Sequence, residues 1–439
     1  MESSFFKMPA VTTFLFLIFF FHLNFASGQV KCTGVNLAGA EFGENYLPGT
    51  YNQHYTYPTR AEVDYFISKG MNTFRLPFRW ERLQHEVYGN LNTSELGRIK
   101  NFVSYASSKG AYTILDPHNY ARYYGSIIGS SNLPADAFAD FWNKVAAEFR
   151  LDSLVIFGLM NEPHDMPTEQ WLAGANAAIA AIRSAGAHNL ILVPGNGWSG
   201  AHSWTSNWYG TPNSTVMKSV VDSLDNYAYE VHQYFDSNSS GTSTTCVSAT
   251  VGTDRLKTFA SWLRATNKKG FLGEFGIANN NTCIDALDNM LSYIHANGDV
   301  WLGWTYWAAG PWWGDYMFSV EPQGGKDKPQ MAVLEKYSGD LSTSANIHPL
   351  QQEPVQLFFP NPLTSSSNIS FFIPEISRVE LYVLSASGGK VACLVDEIRA
   401  AGNHDVPWDI DTRLIPGMYF ILLKTGNTYA PVVKKTIIF

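Results

Sequence analysis

Charge is scarce in this 439-residue chain: Asp, Glu, Lys and Arg make up 15% of it, and the net charge is −8. No run of Lys or Arg forms a basic stripe, so a nucleic-acid partner is not expected, because phosphate binding needs clustered cations. Cysteine occurs at only four positions, Cys32, Cys246, Cys283 and Cys393, and none of their spacings resembles a zinc site. No GxGxxG turn follows the first apolar run, which argues against a doubly wound nucleotide-binding sheet. After the first 28 residues no segment is apolar enough over enough length to read as a membrane span. Internal repeats and long low-complexity tracts are also missing. The expectation is a protein with neither cofactor nor metal, and a monomer.

Aromatic residues, by contrast, are plentiful: 14% of the chain, with 13 Trp and 22 Tyr. That supply fills a large core and leaves flat rings over for a surface cleft, where they suit hydroxyl-rimmed, apolar-faced ligands such as sugars. The N-terminus reads as a signal peptide over residues 1–28. Lys7 supplies its charge, Phe14 to Phe25 form an apolar stretch broken only by His22 and Asn24, and Ala26-Ser27-Gly28 precede a cut before Gln29. The stretch falls short of the ~20 residues a membrane anchor needs. Export leads to an oxidising environment, where a Cys246–Cys283 bridge between two polar loops is expected. Cys32 and Cys393 are expected to stay unpaired.

Eight apolar runs alternate with amphipathic stretches between residues 29 and 338. They are Thr33–Gly39, Asn72–Phe78, Ala111–Pro117, Leu154–Met160, Leu190–Pro194, Tyr227–His232, Gly270–Glu274 and Val300–Trp307. Arg60–Lys69, Ala137–Arg150 and Thr168–Ser184 read as intervening helices. Eight strands alternating with helices make a (β/α)₈ TIM barrel, an α/β fold whose active face lies at the strand C-termini. Residues 339–354 are polar and read as a linker. Residues 355–439 carry seven short β-prone runs separated by turn signals, the pattern of a small β-sandwich.

The polar residues at the strand ends carry the chemistry. Arg75 lies in the second run, His118 follows the third, Asn161 and Glu162 end the fourth, His232 and Tyr234 the sixth, Glu274 the seventh and Trp307 the eighth. Singly, each reads as a helix cap, an ion-pair half or a core histidine. Together, so many costly polar groups on one rim point to a site. Two carboxylates facing each other across a barrel mouth suit glycoside hydrolysis, because each strengthens the other's hold on a proton. Glu162 would be the acid/base and Glu274 the nucleophile. Arg75 and Tyr234 would keep Glu274 ionised and aligned, Asn161 would hydrogen-bond the sugar 2-hydroxyl, and Trp307 would floor the sugar at the cleavage point. Trp204 and Trp312, out of the loop aromatics Trp198, Trp204, Trp208, Tyr209, Trp312 and Trp313, are expected as exposed platforms.

The ordered set Arg75, His118, Asn161, Glu162, His232, Tyr234, Glu274 and Trp307 resembles glycoside hydrolase family 5, the (β/α)₈ retaining glycanases. Asn161-Glu162-Pro163 and Gly273-Glu274-Phe275-Gly276 are the most specific pieces. Gly34–Gly43 and Pro194–Trp204 further resemble its fungal-type and bacterial endoglucanases. The resemblance implies a secreted endo-β-1,4-glucanase, a cellulase acting on internal bonds of β-glucan with retained configuration. An endo-β-1,4-mannanase or a β-1,3-1,4-glucanase could use the same pair, and a polysaccharide-binding protein is the non-enzymatic alternative. The C-terminal segment resembles the sorting domain of the type IX secretion pathway of Bacteroidetes. It does so through Phe359-Pro360-Asn361-Pro362, Val379–Leu384, Gly388–Ala392, Ala401–His404, Trp408-Asp409, Pro416–Phe420 and Lys434-Lys435-Thr436, with Phe359 where Tyr is common. That resemblance implies a Gram-negative source, a secretion machinery as partner, and an extracellular or cell-surface location. It also leaves Asn92 and Asn238 without meaning as glycosylation acceptors.

Overall fold

The computed structural model describes residues 30–339 and 355–438, apart from 360–361, 364–365, 374–375, 387, 401, 410–413 and 427–430. The expected signal peptide, and the expected linker from residue 340 onward, lie outside the described residues. Eight parallel strands close a barrel: β1 (Cys32–Leu37), β2 (Thr73–Phe78), β3 (Tyr112–Pro117), β4 (Val155–Gly158), β5 (Ile191–Pro194), β6 (Tyr227–His232), β7 (Gly270–Glu274) and β8 (Trp301–Ala309). Each pairs with its sequence neighbours, and β8 closes on β1 with Gly34 opposite Thr305. These strands read as near-continuous apolar runs because both of their faces are covered, by barrel interior within and by helices without.

The expected helices appear at Arg60–Ser68, Ala135–Phe149 and Thr168–Ser184. Ala135–Phe149 buries Phe138, Phe141, Trp142 and Val145, a stripe at three- and four-residue spacing that turns one face to the barrel. Asn280 starts the helix Asn281–Ala296 by accepting the Cys283 N–H, an N-cap that supplies one of the end donors with its acceptor. The same helix is tied to the loop after β6 by the Cys246–Cys283 disulfide. Cys32 and Cys393 are free, the first buried and the second exposed.

Three strand C-termini differ from the sequence expectation, the first being β1, which stops at Leu37 rather than Gly39. β4 stops at Gly158 rather than Met160, and β8 continues to Ala309. Beyond the barrel, seven strands form two antiparallel sheets. β9 (Gln356–Phe358), β10 (Ser366–Ile373) and β13 (Gly402–Asp409) form one in the order β9-β10-β13. β11 (Ser377–Ser385), β12 (Lys390–Arg399), β14 (Gly417–Thr425) and β15 (Val432–Ile438) form the other in the order β12-β11-β14-β15. Leu357, Ile369, Phe371, Val379, Leu381, Val383, Ile421 and Leu423 make their shared apolar core.

Candidate active site

Arg75 lies at the centre of the C-terminal rim and is fully buried. A guanidinium without solvent must spend its donors on fixed partners. Its Nη1 lies 2.8 Å from Glu274 Oε1, 2.9 Å from Asn36 Oδ1 and 3.1 Å from Asp116 Oδ2. Nη2 donates to Asn161 Oδ1 at 2.9 Å, and Nε faces Glu230 Oε1 at 3.0 Å. Burial opposes its charge, but Asp116, Glu230 and Glu274 outweigh burial and hold it firmly protonated.

Glu274 ends β7, and its other oxygen, Oε2, accepts the Tyr234 hydroxyl at 3.0 Å. Two donors, one on β2 and one just past the end of β6, thus fix both carboxylate oxygens. Burial and the nearby Glu274 charge keep the Tyr234 hydroxyl protonated far beyond the usual range. Glu162 stands opposite, four residues past the end of β4, with φ 43°. This left-handed conformation is uncommon for a residue with a side chain. One oxygen of Glu162, one of Glu274 and a ring nitrogen of His232 all lie within 4.8 Å of one another.

The histidines adopt opposite charge states. Burial lowers His118 to about 3, so it is neutral. Its Nδ1 meets Asp116 Oδ2 at 2.8 Å and its Nε2 meets the Asn161 amide at 3.1 Å. A neutral ring with a proton on Nδ1 satisfies both contacts: Nδ1–H donates to Asp116 and Nε2 accepts from Asn161. Burial likewise disfavours charge on His232, but Glu274, Glu162 and Glu230 overcome it and raise the ring to about 10. Its Nδ1 is 2.7 Å from Glu162 Oε1. Burial pushes Asp116 up to about 7 despite Arg75. Glu230 is also buried, yet Arg75 and His232 hold it below the usual carboxylate range. The group Glu162, His232 and Glu274 has the spacing of a cation site. A ring held as imidazolium, however, offers a metal no lone pair.

All eight rim residues singled out in the sequence converge here. Trp307, 8% exposed, stacks on His118 with centroids 5.3 Å apart and planes at 17°. The cleft beside Glu162 encloses about 650 Å³, and His164, Trp198, Trp208, His202 and Ser239 line it. His164 and Trp198 stack at 4.4 Å and 9°, and Trp208 lies 6.0 Å from Trp198 at 23°. Trp204 requires a correction. It is fully buried and packs against Tyr229, Phe259 and Trp262, so it is part of the core and not an exposed platform. The exposed rings in that loop system are Trp198, at 40%, and Trp208, at 59%. Trp312 is exposed at 42%, on the loop after β8, but does not line this cleft.

Sequence reasoning gave no role to Asp116, Glu230 or Asn36. The signal was there: Glu230 and His232, two residues apart on one strand, must share its inward face.

A closed eight-stranded barrel with paired carboxylates, an arginine and two histidines on its C-terminal rim has the groups that glycoside hydrolysis requires. Residues 30–310 match the cellulase model, glycosyl hydrolase family 5, and the chain belongs to that family. Residues 357–439 match the secretion system C-terminal sorting domain, which marks the chain as secreted. Endo-beta-1,4-glucanase A of Emericella nidulans is 44% identical over 302 residues, which are 68% of this chain and 90% of the relative. An endo-beta-1,4-glucanase of Xanthomonas axonopodis pv. citri superposes with a TM-score of 0.69 at 51% identity, covering 70% of this chain and 98% of the other. Pseudomonas stutzeri endoglucanase Cel5A, solved with cellobiose, superposes with a TM-score of 0.65 at 35% identity over 72% and 96% of the two chains.

Proposed function

We propose that the protein is a retaining endo-β-1,4-glucanase in which Glu162 is the acid/base and Glu274 the nucleophile. The observation that carries this reading is the approach of the two carboxylates, whose nearest oxygens lie within 4.8 Å. Retaining enzymes hold the pair about 5–5.5 Å apart, whereas inverting enzymes leave roughly 6.5–9.5 Å for a water. Glu274 is fixed through both oxygens, as an attacking group must be. Glu162 is half in the cleft, against His232, where a leaving oxygen can reach it.

In the first step Glu274 bonds the anomeric carbon while Glu162 gives its proton to the departing glycosidic oxygen. In the second, water attacks that carbon, Glu162 takes its proton, and the Glu274 ester breaks. Asn161 has one N–H left after bonding His118, which suits a sugar 2-hydroxyl. Trp307 floors the reacting sugar, and Trp198 and Trp208 offer rings to the leaving side.

Reducing-sugar release from carboxymethylcellulose, barley β-glucan and glucomannan, by wild type beside Glu274→Gln, tests the reading. Activity on the cellulose derivative that collapses in the variant supports it. Activity confined to glucomannan would make the protein a mannanase, and silence on all three would leave a binding protein.

A further inference from the structure

His232 touches Glu162 through Nδ1, which leaves Nε2 to be accounted for. That atom is buried and has no well-aligned hydrogen bond. The carboxylate oxygen facing it is Glu230 Oε1, at 3.5 Å, an ion-pair distance. The same Oε1 lies 3.0 Å from Arg75 Nε. Glu230 is 1% exposed, and neither of its oxygens has a well-aligned hydrogen bond. Burying such a group is costly unless it acts on its neighbours. The barrel is built to admit it: a Cβ on Gly273, beside Glu274, would fall 2.0 Å from Glu230 Oε1. Only glycine at position 273 leaves room for this carboxylate.

We propose that Glu230 is a positioning residue for the acid/base carboxylate: it holds a proton on His232 Nε2, so that Nδ1 faces Glu162 and the two share a second, mobile proton. The proposal rests on the assignment of Glu162 made above. The balance is simple. The Glu162–His232 pair holds one transferable proton before the first step. That proton goes to the glycosidic oxygen as its bond to the anomeric carbon breaks and the bond to Glu274 forms. The proton of the attacking water restores it in the second step. Through both, the Nε2 proton stays in place, as the outer carboxylate of a carboxylate–histidine pair keeps it.

The charged and titratable groups facing Glu230 and His232 are Arg75 from β2, Asp116 from β3, Glu162 beyond β4 and Glu274 from β7. Arg75 stays charged, so removing the Glu230 charge weakens the pair's hold on its shared proton. In Glu230→Gln the alkaline limb of kcat/KM on β-glucan should therefore move to lower pH. On β-glucan, kcat/KM near pH 7 should fall at least about 10-fold, since even at metal-bound histidines the outer carboxylate is worth about 10–100-fold. An aryl cellobioside with a strongly acidic phenol needs no proton from Glu162, so its kcat/KM should change less than threefold or so. Glu230→Asp, which keeps the charge, should return the limb toward the wild-type position. Nitrogen-15 shifts of wild-type His232 should show a protonated Nε2 between about pH 5 and 8. An unmoved limb with equal losses on both substrates would overturn the proposal, and so would a wild-type Nε2 without a proton. If the wild type hydrolyses neither substrate, the assigned activity fails instead.

Discussion

The Arg75 guanidinium lies 2.8 Å from Glu274 Oε1 and 3.1 Å from Asp116 Oδ2 through one nitrogen, Nη1. With Glu230 on Nε, three buried carboxylates share this one guanidinium. Replacing Arg75 with Met strands all three in a low-dielectric interior. Breaking a buried pair by removing one partner costs about 3–5 kcal/mol. Urea unfolding of Arg75→Met should show a loss at least that large, together with loss of activity. Little change in stability would mean that Asp116 and Glu230 take up protons without cost.

Stability should fall as pH rises from about 7 to 9. His232 is raised to about 10 in the fold. A raised group adds stability that is complete below the unfolded value near 6.5 and is lost as pH climbs toward the folded value. Over this window the loss is about 2 kcal/mol, or a few degrees of melting temperature. Asp116 and Glu41, raised to about 7 chiefly by burial, act mostly below the window. The gap between the melting curves of wild type and His232→Gln should be widest below about pH 6.5 and narrow steadily as pH rises toward 10. Parallel curves would contradict the charge state assigned to His232.

The Cys246–Cys283 bridge closes a 37-residue separation. By chain entropy alone such a loop is worth about 4 kcal/mol, less any strain. Reduction, or Cys246→Ser, should lower the melting temperature by several degrees. An unchanged value would mean that the loop is held by Asn280 and its contacts to Thr244 alone.

Two tryptophans of one loop system should behave oppositely. Trp204→Ala empties a core site and should cost about 3–5 kcal/mol of stability, with KM unchanged in the protein that folds. Trp198→Ala removes an exposed ring and should raise KM for long glucans while leaving stability within about 0.5 kcal/mol. Denaturant titration and kinetics on the same samples separate the two roles.

The contrast between these residues shows where sequence reading ends. Strand number and barrel class were legible because eight apolar runs repeat at regular intervals, and the rim residues because a polar group closing such a run is costly. Trp204 was not legible. Its burial depends on Phe259 and Trp262, on a helix some fifty residues downstream. The end of β4 was missed for a local reason: Leu159 to Asn161 stay apolar or buried after strand pairing stops, while the chain bends to bring Glu162 into the cleft. The inward face of Glu230 was legible from its two-residue spacing to His232, but its partner was not, since Arg75 of β2 meets it only across the closed barrel.

The central claim is double displacement by Glu162 and Glu274, and the anomeric configuration of the first product tests it most directly. Proton NMR of cellopentaose hydrolysis, followed before mutarotation, should show the new reducing end appearing as the β-anomer. An initial α-anomer would mean that water attacks directly, and that Glu274 is not the nucleophile.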